Sequence, residues 1–212
     1  MPASGRAAPG TDTRDLIFEA AALDFSTHGF DGVSVDAIAR QAGVNKAMIY
    51  YHFDGKLGLY REVVRDMLRA VGGAATAIAA SSDDPETKIA SFIEAIARLR
   101  DTRPWFPPLM MREMAAGAPR LDPDTLALVK VVFVAFASML DAGVAAKVFR
   151  RVHPVLAYMT IMGPLIMNAV RERAAAGPGR AHLPMFVPVD RRELVAHMQL
   201  TALRMLAKDQ PR

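Results

Sequence analysis

Residues 34–56 read SVDAIARQAGVNKAMIYYHFDGK, and their spacing predicts two short helices joined by a tight turn. Ser34 is placed to cap the first helix, its side-chain oxygen accepting from an otherwise unpaired helical N–H. Ile38, Ala39 and Ala42 set apolar and small groups on one inner face at helical spacing. Gly43 takes the C-terminal position where a left-handed backbone is needed, and Asn45 caps the second helix. Two helices held this closely form a helix-turn-helix whose second member is free to enter a DNA major groove. That second helix, expected over Lys46–His52, is about 10 Å long at ~1.5 Å per residue. A groove about 12 Å wide admits it end-on.

The upstream flank TRDLIFEAAALDFSTHGF puts Ile17, Ala21 and Phe25 on one stripe, with Phe18 and Ala22 beside it. An amphipathic helix ending at Gly29 follows from that pattern. Taken together, residues 13–60 resemble the N-terminal domain of the TetR family of transcriptional regulators. The family's Phe, Gly and aromatic run is met by Phe25, Gly29 and Phe30. Its Ile-Ala and Ala-Gly-Val are met by Ile38-Ala39 and Ala42-Gly43-Val44, and its Tyr, His-Phe and Lys by Tyr50, His52-Phe53 and Lys56. So many positions in one register make a specific signal, unlike a lone short motif. Ala47 and Met48 depart from the Gly and small residue usual in the reading helix, and Val33 stands where Thr is common. Met48 offers apolar contact to a thymine methyl where a hydroxyl would bond. The resemblance implies a DNA-binding surface made of Ser34, Asn45, Lys46, Ala47, Met48, Tyr50, Tyr51, His52 and Lys56.

Composition narrows the alternatives. The chain has 212 residues, 52% of them hydrophobic, enough for a sizeable core. Ala, Leu and Met dominate and β-branched runs are few, which favours an all-α chain. There is no cysteine, which excludes disulfides and thiolate metal sites and fits a cytoplasmic setting. Residues 1–11 lack the apolar region of a secretion signal and read as a disordered arm. The apolar run Val131–Leu140 is bounded by Lys130 and Asp141, so a membrane span is not expected. No nucleophile–base set, Gly-rich phosphate loop or metal spacing occurs; an enzyme is not expected, nor is a cofactor or metal. The five histidines (28, 52, 153, 182, 197) are scattered.

Net charge is +4, but it does not fall on the reader. Residues 12–65 hold six Lys/Arg and eight Asp/Glu, a balance of −2. Local placement must therefore carry DNA affinity: Lys46, His52 and Lys56 lie on or beside the second helix, and the acids of the first helix are expected to face away.

Downstream the pattern stays helical. Helices are expected over Leu57–Ala80, from Pro85 to Arg100, over Leu109–Ala116 and over Asp124–Ala142, the last apolar around most of its circumference and so expected to be central. Another begins at His153-Pro154, with a kink at Gly163-Pro164, and ends near Arg173. A loop covers Gly177–Pro188, and Asp190 with Glu193 is spaced as a capping box for a last helix to about Lys208. The division expected is 1–11, a DNA-binding domain at 12–58 and a helical domain at 59–212. A single helix-turn-helix reads too few base pairs to be selective, and two-fold dimers are the usual remedy. Apolar stripes at 155–170 and 194–206 suit an interface. Family resemblance likewise implies a homodimer through the last two helices, about 154–173 and 190–208.

The same resemblance implies a small-molecule effector, unknown but hydrophobic or amphipathic in kind. Trp105, Phe106, Met110, Phe133 and Phe136 supply adaptable apolar surface for it, with Tyr158, Arg112, Glu113 and Asn168 as polar candidates for orienting it. A Met and aromatic set at helical spacing also suits ordinary core packing. The reading is thus a homodimeric repressor released from a double-stranded DNA operator by its ligand. Its rival is a helical DNA-binding protein whose C-terminal domain serves protein interaction without a ligand.

Overall fold

The computed structural model describes residues 12–177 and 183–208. The arm expected at 1–11 and part of the loop expected at 177–188 lie outside the described residues. The chain is all-α: nine helices among the described residues, with one 3-10 turn at Pro184–Phe186. In chain order they are α1 (Thr13–His28), α2 (Val35–Ala42), α3 (Ala47–Phe53), α4 (Gly55–Ala80), α5 (Pro85–Thr102), α6 (Phe106–Ala115), α7 (Pro123–Ala145), α8 (Pro154–Ala175) and α9 (Arg191–Leu206).

Two compact units divide the chain. One holds residues up to Arg65 together with Pro108–Leu121, and the other holds Asp66–Pro107 and the residues from Asp122 onward. A contiguous division at residue 58 does not follow these units, because a segment distant in sequence joins the first.

In the first unit α1, α2 and α3 close a three-helix core of Ile17, Ala21, Phe25, Ile38, Ile49 and Phe53, all buried. The caps form as the side chains dictate. Asp12 accepts from Arg14 N and Ser34 from Ala37 N. Gly43 is left-handed at φ 68° and returns its N–H to Ala39 and Arg40 carbonyls, which turns the chain at once into α3. Asp54 ends α3 with φ 57°.

In the second unit α5 lies at the centre, its Ile89, Phe92, Ile93, Ile96 and Ala97 buried among α7, α8 and α9. This corrects the expectation for α7. Val132, Phe136, Met139 and Leu140 of α7 are buried, but Leu126, Val129, Val131 and Val134 are exposed. An all-round apolar pattern states that every face avoids water, not which face finds a partner. By length and composition α7 would also suffice to cross a membrane, which the sequence reading did not expect.

Pro107 and Pro108 sit in the first turn of α6, where a missing N–H costs nothing, so that helix begins earlier than expected. Helix α8 runs through Pro164 without interruption. Asp190 caps α9 by accepting from the N–H groups of Arg192 and Glu193. Arg191 reaches Glu94 at 2.6 Å, and the Gln199 amide donates to Ala90 O at 3.0 Å, tying α9 to α5. Backbone bonds from Arg150 N to Leu206 O and from Lys208 N to Val148 O fasten the chain after α7 to the end of α9.

Candidate nucleic-acid interface

Helix α3 is short, and two buried anchors set its outward face. Ile49 is fully buried and Phe53 nearly so, leaving Tyr50 at 59% and Tyr51 at 79% exposure. Lys46 and Ala47 are exposed beside them, while Met48 is half-buried. The Asn45 carboxamide oxygen accepts from Ala47 N at 2.9 Å, the cap expected of it. Ser34 is exposed at the start of α2, where its hydroxyl is engaged as the cap.

Three of the expected contact residues are engaged or enclosed by the protein itself. Lys46 Nζ lies 3.2 Å from the Asp36 carboxylate, so this acid of α2 does not face away from the reader; it meets the start of α3. His52 is half-buried and its Nε2 is enclosed without a hydrogen-bond partner, its ring lying edge-on to Tyr51. Lys56 Nζ sits 4.3 Å over the centre of the Phe30 ring, a cation–π contact.

Sequence reasoning missed the polar cluster behind this face. The Tyr60 hydroxyl donates to Glu113 Oε2 at 2.7 Å, and Glu113 is 1% exposed. Arg120 donates to Glu113 from its backbone N–H at 2.9 Å and from its guanidinium at 3.4 Å. The same guanidinium bonds Asp31 at 2.6 Å and lies 4.7 Å over the Phe30 ring. Burial, with the Glu113 carboxylate as hydrogen-bond partner, pushes the Tyr60 hydroxyl well above the ordinary tyrosine range. A small cavity of about 210 Å³ adjoins the cluster. Arg112 and Glu113 form no pair with each other; Arg112 donates to Thr27 O at 3.2 Å instead. One signal was available: Glu113 follows Leu109 by four residues, which puts a carboxylate on the buried face of α6.

The residues expected to meet an effector fall into groups. Trp105 is buried and lies edge-on to Phe106 at 6.2 Å. Phe136 is fully buried, tilted against Phe92 at 5.4 Å, and Tyr158 stands edge-on to both Phe133 and Phe136. Burial raises the Tyr158 hydroxyl above its usual range. Met110 belongs to the first unit and the others to the second. Asn168 is taken up locally, donating to Glu172 at 2.7 Å and accepting from Arg171 at 2.8 Å. In the second unit, grooves of about 450 and 360 Å³ run past Ala90, Glu94, Arg98 and Gln199 and past Arg100, Pro104 and Glu172; none of the six expected ligand residues lines them.

The sequence profile described as bacterial regulatory proteins, tetR family, matches residues 17–63. The Staphylococcus aureus biofilm operon icaADBC HTH-type negative transcriptional regulator IcaR is 40% identical over 52 residues. That match spans 24% of this chain and 28% of the relative's length. Among solved structures, the TetR family regulator PfmR from Thermus thermophilus superposes with a TM-score of 0.70 at 24% identity, covering 91% of this chain and 99% of its own. The ketosteroid transcriptional regulator KstR2 of Mycobacterium tuberculosis superposes at 0.74 with 20% identity, covering 96% and 100%. Residues 17–63 thus carry the helix-turn-helix domain of the bacterial regulatory proteins of the tetR family, and the chain shares its helical fold with regulators of that family.

Proposed function

We propose that this chain is a homodimeric, sequence-specific DNA-binding repressor that leaves its operator when a hydrophobic or amphipathic small molecule binds. The observation that carries the reading is the outward face of α3. Lys46, Ala47, Tyr50 and Tyr51 are exposed together on a helix whose opposite face is anchored by Ile49 and Phe53. In this reading Lys46 reaches a base edge or phosphate, Tyr50 and Lys56 reach phosphates, and Ala47 and Met48 meet thymine methyls. Tyr51 flanks the groove, and Ser34 and Asn45 hold backbone at its rim. His52 takes part only after its ring turns outward, since Nε2 is enclosed.

The Lys46–Asp36 pair is no obstacle. Both side chains are about 60% exposed, and an exposed pair contributes only about 0–1 kcal/mol. A guanine contact by Lys46 gives ~1–3 kcal/mol of discrimination, so exchange of the carboxylate for DNA is favourable. Because the surrounding residues are net acidic, affinity per subunit is moderate and its salt dependence shallow.

Dimerisation is supported by an exposed apolar stripe on α8: Val155, Met159 and Met167, with Leu156 and α9 Leu200, are 43–64% exposed. Met198, which the sequence stripe assigns to an interface, is 3% exposed and belongs to the subunit core. The effector is proposed to enter the second unit beside Trp105 and Phe106 and beside Phe133, Phe136 and Tyr158, parting rings now in contact within each group; Met110 belongs to the first unit. KstR2 and PfmR share the fold, and IcaR is a negative regulator, which supports repression. A repressor acts where the chromosome is, in the cytoplasm. The rival reading, a partner protein in place of a ligand, is favoured by the exposed apolar residues of α7.

Selection of bound duplexes from a random library tests the DNA reading. The expected result is a palindromic site, with binding abolished by joint substitution of Lys46, Tyr50, Tyr51 and Lys56 by Ala. Undiminished binding by that variant would show that α3 is not the reader. Trp105 is the single tryptophan, so its fluorescence reports effector binding. By linkage a compound that weakens operator binding must itself bind more weakly in the presence of operator.

A further inference from the structure

Pro108–Leu121 is packed into the same compact unit as the helix-turn-helix, although the sequence separates them widely. Arg120 of this segment and Lys56 at the start of α4 converge on one aromatic ring. Arg120 lies 4.7 Å over Phe30, and Lys56 Nζ lies 4.3 Å over the same ring. Phe30 is held in turn by Phe25, stacked at 6.0 Å, and by Tyr60, edge-on at 5.2 Å. We propose that Arg120, fixed by the buried Glu113, is a positioning residue for Lys56, so that docking of the segment 108–121 sets the strength of a phosphate contact made by the reading domain. This rests on the proposed phosphate role of Lys56.

Two effects act in the same direction. A lysine side chain carries much rotamer freedom, and an ammonium held over a fixed ring has lost part of it before DNA arrives. The second effect is electrostatic. Asp31 follows Phe30 in the chain and is 84% exposed, and Arg120 engages its carboxylate at 2.6 Å. A carboxylate occupied in this way does not compete with phosphate for the nearby ammonium. Arg120 can serve because Glu113 and Asp31 together balance its charge, which would otherwise repel Lys56. Glu113 in turn is held by three donors, from Tyr60 and from the Arg120 backbone and side chain.

The test is a double-mutant cycle on the full chain, titrated against the selected operator duplex at several salt concentrations. Lys56→Gln should lower the slope of log affinity against log salt by about 0.9 per subunit, the value of one phosphate contact. Arg120→Gln should weaken binding and lower the slope in the wild-type background, yet add nothing in the Lys56→Gln background. Phe30→Leu keeps apolar packing and leaves Arg120 and Glu113 intact, and it should behave in the same way. A merely structural role would weaken binding equally in both backgrounds with the slope unchanged, and that result overturns the proposal. Phe30→Leu with the full wild-type slope overturns it too, even if Arg120→Gln fails to fold. Failure of the wild-type protein to select any duplex would instead refute the DNA reading, while an unaltered slope in Lys56→Gln would refute the phosphate role of Lys56 alone.

Discussion

Replacing Tyr60 with Phe removes one oxygen and leaves the ring, and with it the edge-on contacts to Phe25 and Phe30 at 5.1 and 5.2 Å. Apolar burial is therefore unchanged, and the cost isolates the hydroxyl. That hydroxyl donates at 2.7 Å to a carboxylate that is 1% exposed, in a residue itself 2% exposed. A hydrogen bond to a charged acceptor is worth about 1.5–3 kcal/mol, against ~1 for a neutral one. For a chain of this length each kcal/mol moves the melting temperature by about 2–4 °C, which puts the shift at about 3–12 °C. Thermal and urea unfolding followed by far-ultraviolet circular dichroism measure it. Tyr50→Phe, at a residue 59% exposed, is the control and should stay within ~0.5 kcal/mol of wild type. Glu113→Gln should cost more than Tyr60→Phe, and the two together less than their sum, because they share one bond. A Tyr60→Phe protein as stable as the control would show that the hydroxyl is solvated and the cluster is not closed.

The same group makes stability depend on alkaline pH. The folded-state pKa of Tyr60 is raised above its unfolded value of about 10, so the hydroxyl's contribution is complete below that pH and is lost as pH rises beyond it. The stability difference between wild type and Tyr60→Phe, measured in urea at pH 8 and pH 11, should therefore shrink by roughly 1.4 kcal/mol; parallel curves would contradict the burial argument. Gly143→Ala would bring a methyl within 1.9 Å of the Phe149 ring, an overpacking cost of about 1–3 kcal/mol or more that Phe149→Leu should partly relieve. An undisturbed Gly143→Ala protein would mean that this loop yields freely. Met159→Glu, at 63% exposure, should give folded monomers in sedimentation, whereas Met198→Glu, at 3%, should unfold the subunit. Monomers from the wild-type chain at micromolar concentration would remove the proposed interface.

What could be read from residues alone is what neighbours in sequence decide. Ser34, Gly43 and Asn45 cap or turn the backbone within four residues of themselves, so the helix-turn-helix was legible before any tertiary contact. Helical periodicity likewise identified Ile17, Phe25 and Ile38 as core, because the face a helix buries repeats every three or four residues. Only the fold decided what lies between segments far apart in the chain. It made α5 the centre of the second unit in place of α7, and gave Met198 to the core. It brought Asp36 to Lys46 and enclosed His52 Nε2. It also carried Glu113 and Arg120 to Tyr60, Asp31 and Phe30, across separations that no periodicity spans. A local hydrogen bond needs only the backbone angles of its own turn, whereas a partner for a whole helical face or a buried charge is chosen by how all the helices pack at once, and a single chain pattern carries no record of that choice.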